Sequence, residues 1–175
     1  MEKLGKMCSF DSYFAVLMDT EQIVAETKQH FKLEEASPHA SELLFGIAQA
    51  NGYLTWEDIV GRINDIDFEA VPSLSPNDFR LLLPGFLMGS LVNLNDEANP
   101  ILSYVFASFI AYMNPDYWDD SFIEKWCKFS RKQMNVLETY LEALSPHLGQ
   151  LDTQRALLTL ENVRVYVELS GRKSL

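Results

Sequence analysis

Five carboxylates within thirteen residues form the densest group of side chains that could do chemistry in this sequence. They are Glu57, Asp58, Asp65, Asp67 and Glu69. Arg62 is the single Lys or Arg among them. Paired carboxylates act as general acid and base only where a fold buries them and brings them together. We therefore interpret the group as a solvated acidic surface and as a candidate binding site for a basic protein.

Arg80 is the second candidate, in the segment "LSPNDFRLLLPGFLMGSL" of residues 74–91. A guanidinium can bind an anion or a carboxylate. If the hydroxyl groups of Tyr104 and Ser108 lie beside it, the three side chains would line a cleft for a small molecule. The simpler alternative is that Arg80 satisfies backbone carbonyls near Pro84, and the sequence leaves both alternatives open.

The remaining reactive residue types form no recognisable constellation. The histidines are far apart in the sequence, and the two cysteines have neither metal-ligand spacing nor the number that a disulfide framework needs. Nucleophile-elbow, P-loop and dinucleotide-binding motifs are missing from the sequence. We predict no catalytic residues, no metal and no cofactor, and we favour a protein that is not an enzyme.

The charge of the chain restricts its partners. The formal net charge is −11, and residues 1–100 hold 6 Lys and Arg against 16 Asp and Glu. Nucleic acids and anionic membranes are poor partners for such a chain, because both require clustered cations. No stretch is a convincing signal peptide or membrane span, since the apolar part of the most hydrophobic run, 101–113, is too short. A cytoplasmic location is expected.

The segments that contain these residues are predicted to be helices. Apart from the helix 101–113, which follows Asn99-Pro100, the predicted helices begin at capping residues: Asp19, Ser37, Thr55, Ser75, Asp119 or Asp120, Ser130, and Asp152 or Thr153. The helix that starts at Ser37 is predicted to end at Asn51-Gly52. Residues 162–169 alternate as a strand would, but we predict a helix because the preceding residues have helical spacing.

Pro84 interrupts an otherwise continuous apolar helix. It has no N–H for the carbonyl of Arg80, so we predict that the helix kinks or restarts there. Gly85 and Gly89 are four residues apart and allow another backbone to approach closely. We expect the approaching helix to be 101–113, which is apolar on nearly every side. The predicted fold is all-α, with residues 1–175 as one compact domain of about seven helices around that buried central helix.

The segment 74–91 resembles the signature of a family of uncharacterised bacterial proteins, a domain of unknown function. Its pattern is Leu-(Ser/Thr)-Pro-x-x-Phe-Arg followed by Leu-Pro-x-Phe-Leu, and the similarity covers about residues 70–145. The resemblance implies no catalytic residue.

Two functions are consistent with these features. The first is a soluble, non-enzymatic interaction protein, in one concrete form an acidic immunity- or antitoxin-like protein that blocks a basic partner. The alternative is a small-molecule-binding protein or weak enzyme with a cleft near Arg80. The oligomeric state is left open.

Overall fold

A computed structural model describes residues 21–46, 54–92, 119–145 and 150–171. These residues form helices, turns and connections, with no strand among them, which confirms the all-α fold. The helices are α1 (21–30), α2 (Pro38–Phe45), α3 (Trp56–Gly61), α4 (Pro76–Val92), α5 (Asp120–Trp126), α6 (Arg131–Leu144) and α7 (Gln150–Gly171). Two 3-10 helices, Ile63–Asp65 and Phe68–Ser73, connect α3 to α4. No helix in these ranges has the length and apolarity to cross a membrane.

Most of the predicted helix starts are confirmed. The side chains of Ser37 and Asp119 accept backbone N–H groups in the first turns of α2 and α5. Thr55 and Ser130 each form a reciprocal capping box with the residue three positions on. These signals are local, because a cap and its partner lie within one helical turn. Asp19 lies outside the described residues.

Two predicted boundaries are wrong. Helix α2 ends at Phe45, where Gly46 adopts a left-handed conformation with φ 64°, rather than at Asn51-Gly52. Helix α7 already includes Gln150, so neither Asp152 nor Thr153 is its cap. Thr153 is buried and therefore belongs to the packed side of α7. Residues 162–169 are helical, as predicted.

Helix α4 lies deepest in the described part of the protein. Thirteen of its seventeen residues are buried, including Pro84 and both glycines. The helix continues through Pro84 without interruption. The sequence predicts either a kink or a restart at this residue, and the restart is wrong. Because α4 is packed along most of its length, tertiary contacts outweigh the missing backbone hydrogen bond. The predicted central helix, 101–113, lies outside the described residues, and its central place is not confirmed.

Close contact between α3 and α4 depends on the two glycines. A β-carbon placed on Gly85 would lie 2.6 Å from Cβ of Ile59 and closer still to the carbonyl oxygen of Trp56. One placed on Gly89 would lie 3.0 Å from Cδ1 of Ile63. The predicted close approach is therefore confirmed, and the contacts are with α3 and the first 3-10 helix. The predicted contact with 101–113 lies outside the described residues.

An aromatic cluster joins α4 to α5. The ring of Phe79 packs edge-on against Trp126, with centroids 5.5 Å apart, and against Phe129 at 6.2 Å. Beside it, the buried ammonium of Lys125 donates a hydrogen bond to the carbonyl of Pro72. Removal from water lowers the pKa of Lys125, and the nearby Asp119 carboxylate opposes that change. This contact ties α5 to the second 3-10 helix.

Helices α1, α6 and α7 complete the core. One side of α1 and the residue after it are buried: Ile23, Thr27 and Phe31. The apolar face of α6 is buried as well, and it contains Met134, Leu137, Leu141 and Leu144. The fully buried hydroxyl of Tyr140 is hydrogen-bonded to that of Thr27 at 3.2 Å, which joins α6 to α1.

Candidate functional site

The five predicted carboxylates all lie at the surface. Glu57 and Asp58 are exposed on α3. Asp65 and Glu69 are exposed on the two 3-10 helices that follow, and Asp67 is exposed between these two helices. Three isoleucines between them and one valine just after them point the other way and are buried: Ile59, Ile63, Ile66 and Val71. Residues 57–71 therefore have an acidic outer side and an apolar inner side. We call the outer side, formed by the five carboxylates, the acidic surface.

Two cations lie on the acidic surface and pair loosely with it. Lys28 Nζ lies 3.7 Å from Glu57 Oε1, and Arg62 Nε lies 3.9 Å from Asp65 Oδ2. All four side chains are at least one-third exposed. Exposed pairs of this kind contribute about 0–1 kcal/mol and are screened by salt. Their carboxylates can therefore exchange one cation for another at little cost.

Two other carboxylates of the acidic surface also fix the backbone beneath it. Asp58 accepts hydrogen bonds from the backbone N–H of Thr55 at 2.8 Å and from its hydroxyl at 2.6 Å. Asp67 accepts from the backbone N–H of Glu69 at 3.0 Å. Each of these carboxylates keeps further acceptor positions, because an ionised carboxylate offers about four. The surface is thus held in shape by its own acids.

The acidic surface continues to the carboxyl end of α2. The backbone N–H of Asp67 donates to the carbonyl of Leu44 at 2.7 Å. The guanidinium carbon of Arg62 lies 3.8 Å from the centroid of the Phe45 ring. The structure therefore adds Leu44 and Phe45 to the neighbourhood of the predicted site, although neither residue type signals binding in the sequence.

Arg80 has side-chain partners of its own. Its guanidinium lies 3.6 Å from a carboxylate oxygen of Glu34 and donates to the Asn77 side chain at 3.3 Å. Its side chain is 23% exposed. Tyr104 and Ser108 lie outside the described residues, so a cleft formed by these two and Arg80 stays a prediction.

A groove of about 620 Å³ opens beside the start of α4. Its lining comes from α4, α5 and α7: Ser75, Pro76, Asn77, Ile123, Glu124, Cys127, Lys128 and Tyr166. Arg80 is not one of the lining residues, but it donates a hydrogen bond to Asn77, which is. Burial raises the pKa of the Cys127 thiol, an effect that the nearby Lys128 partly offsets. The thiol is therefore largely protonated at neutral pH, which makes it a poor nucleophile.

Asp78 has a role that the sequence did not reveal. The sequence indicates an acid in the first turn of α4, where the helix dipole favours it. In the structure this carboxylate is 4% exposed and accepts from the Ser75 hydroxyl at 2.7 Å. It also accepts from the backbone N–H of Ser37 at 2.7 Å and from the Ser37 hydroxyl at 2.8 Å. One carboxylate thus joins the starts of α2 and α4, and we interpret it as structural.

Within the described ranges, no three His, Cys, Asp or Glu side chains are grouped so that they could hold a metal ion. Comparison with known proteins gives no relative: no family model, curated protein or solved structure matches the chain. The resemblance of residues 74–91 to a family of uncharacterised bacterial proteins therefore stays a prediction.

Proposed function

We propose that this protein is a non-enzymatic interaction protein that binds a basic protein partner through the acidic surface. One observation carries the proposal. Five carboxylates face outward from a segment whose inner side is fixed by the glycine-mediated contact of α3 with α4. An immunity- or antitoxin-like protein that blocks a basic partner is one concrete form of this function.

A rigid surface of one charge suits such a partner for two reasons. Complementary charge attracts the partner over several ångströms and so raises the association rate. A segment that is already ordered loses little conformational entropy on binding. The loose pairing of Glu57 with Lys28 and of Asp65 with Arg62 supports the proposal further, because a partner's cation can replace either one.

The test neutralises part of the acidic surface. The triple variant Asp65→Asn, Asp67→Asn, Glu69→Gln removes three charges and keeps an acceptor oxygen at position 67 for the backbone bond. Association with the partner captured from the native cell should slow by about 10-fold or more at low salt. The difference from wild type should shrink as salt is added, since exposed charges are screened over about 10 Å at 0.1 M.

The matched control removes the same charge elsewhere. Glu21, Glu35 and Glu142 are exposed and lie outside the acidic surface, so their replacement by Gln should change the rate much less. Equal slowing in both variants would mean that only net charge matters. No slowing in either one would remove the acidic surface from the proposal.

The groove beside the start of α4 favours an alternative, a small-molecule-binding protein. Its lining combines the Lys128 ammonium, the Glu124 carboxylate and the Asn77 amide with the ring of Tyr166. Concave sites with a few polar groups are typical of ligand pockets. A small molecule that raises the melting temperature of wild type, but not of Tyr166→Ala, would support this alternative.

A further inference from the structure

Arg62 occupies a position on the acidic surface that is built to hold a cation. Its guanidinium lies over the face of the Phe45 ring, 3.8 Å from the centroid, and its Nε lies 3.9 Å from Asp65 Oδ2. The face of an aromatic ring attracts a cation within about 6 Å. A ring and a carboxylate therefore hold the same guanidinium from two directions.

The end of α2 adds a third attraction. Phe45 is the last residue of this helix, and the last turn contains no basic residue of its own. The carboxyl end of a helix carries a partial negative charge that favours a nearby cation. Arg62, which follows α3, brings a cation to the side chain of the last residue of α2.

We propose that Phe45 and Asp65 form an arginine-binding position, filled by Arg62 in the free protein and by an arginine of the partner in the complex. This inference rests on the proposed function of the acidic surface. Arginine suits the position better than lysine, because a planar guanidinium stacks on a ring while it pairs with a carboxylate. Arg62 can leave, because its side chain is 34% exposed and its contact with Asp65 is longer than a hydrogen bond.

The experiment compares short oligo-arginine and oligo-lysine peptides of equal length, binding to wild type, Arg62→Gln and Lys28→Gln. Both substitutions remove one positive charge and release one carboxylate, but only Arg62→Gln also frees the ring of Phe45. We expect Arg62→Gln to bind the oligo-arginine peptide about 2- to 5-fold more tightly relative to oligo-lysine, which corresponds to an exposed cation–π contact. Lys28→Gln should strengthen the binding of both peptides equally.

A second substitution tests the ring directly. Phe45→Leu in the Arg62→Gln background keeps an apolar side chain on the core and should cancel the gained preference for arginine. An equal gain for both peptides in Arg62→Gln would overturn the arginine position while leaving the proposed function intact. If neither peptide binds wild type or any variant, the acidic surface fails as a binding site, and the inference fails with it.

Discussion

The inner side of α3 is closely packed, whereas its outer side is exposed to solvent. On the inner side, Trp56 and Ile59 lie so close to Gly85 that even one added carbon would collide with them. On the outer side, Glu57 reaches its cation at 3.7 Å, with about half of its side chain exposed. This six-residue helix therefore has one closely packed side, on which an added carbon atom would collide with its neighbours. On its other side, the cation that pairs with a carboxylate can be exchanged for another.

This difference separates what holds the fold from what is available for binding. Close packing makes the interior sensitive to single atoms, because a core has few voids that could absorb a change in volume. Exposed charges interact through water and contribute little to stability. A change at the inner side should therefore alter the free energy of unfolding, and a change at the outer side should alter binding.

The largest effect on the free energy of unfolding is expected at high pH, where ionisation of Tyr140 would place a charge in the interior. Burial raises the pKa of Tyr140 to about 12, from an ordinary value of 10.0, while its hydrogen bond with Thr27 acts in the opposite direction. The unfolded chain ionises this phenol near pH 10, whereas the folded protein keeps the proton to about pH 12. Its contribution to stability is therefore nearly complete below pH 10 and is lost, by about 3 kcal/mol in all, as the pH rises through 12.

Denaturant melts at a series of pH values measure this loss. Tyr140→Phe removes the ionisable group and should lack this part of the decline, so the two curves should diverge between pH 10 and 12. Curves that stay parallel across that range would show that Tyr140 ionises as easily in the folded protein as in the unfolded chain.

A smaller loss is expected from one methyl group at the α3–α4 contact. Gly85→Ala should lower the free energy of unfolding by about 1–3 kcal/mol, because the backbone of Trp56 and Cβ of Ile59 must move away. Gly61→Ala is the matched control, since nothing lies within 4 Å of its new β-carbon. That substitution should stabilise the protein by about 0.4–1 kcal/mol. Thermal melts that gave both variants the same sign would contradict the contact.

The smallest effect on stability is expected at the acidic surface. The triple variant Asp65→Asn, Asp67→Asn, Glu69→Gln should change the free energy of unfolding by no more than about 0.5 kcal/mol, as solvated surface changes usually do. Equilibrium denaturation measures this value. A loss of several kcal/mol would mean that these carboxylates support the fold, and the difference between the packed interior and the acidic surface would then disappear.

The sequence predicted those features that depend on neighbours in the chain. The caps at Ser37, Thr55, Asp119 and Ser130 were correct because each involves atoms within one turn. The predicted end of α2 is wrong because apolar residues continue in the sequence past Gly46, which suggests a longer helix. In the structure the left-handed conformation of Gly46 ends the helix. Tertiary packing decides such conflicts, and a local pattern does not contain it.

The candidate site was predictable in its residues but not in its surroundings. Exposure of the five carboxylates follows from their alternation with the apolar Ile63, Ile66 and Val71. The ring of Phe45 beneath Arg62 was not predictable, since α2 and α3 meet only in the folded protein. The same reason explains why the sequence did not indicate α3 as a segment that contacts Gly85.

The buried carboxylate of Asp78 has a consequence for cooperativity. It accepts hydrogen bonds from Ser37 and Ser75, the residues that precede α2 and α4 and lie 38 positions apart in the sequence, so neither helix start can open without breaking bonds that hold the other. Segments that open together behave as one unit in hydrogen exchange. The amide protons of Ser37 and Asp78 should accordingly exchange with solvent in the same opening event, although the chain between them is long enough to open separately.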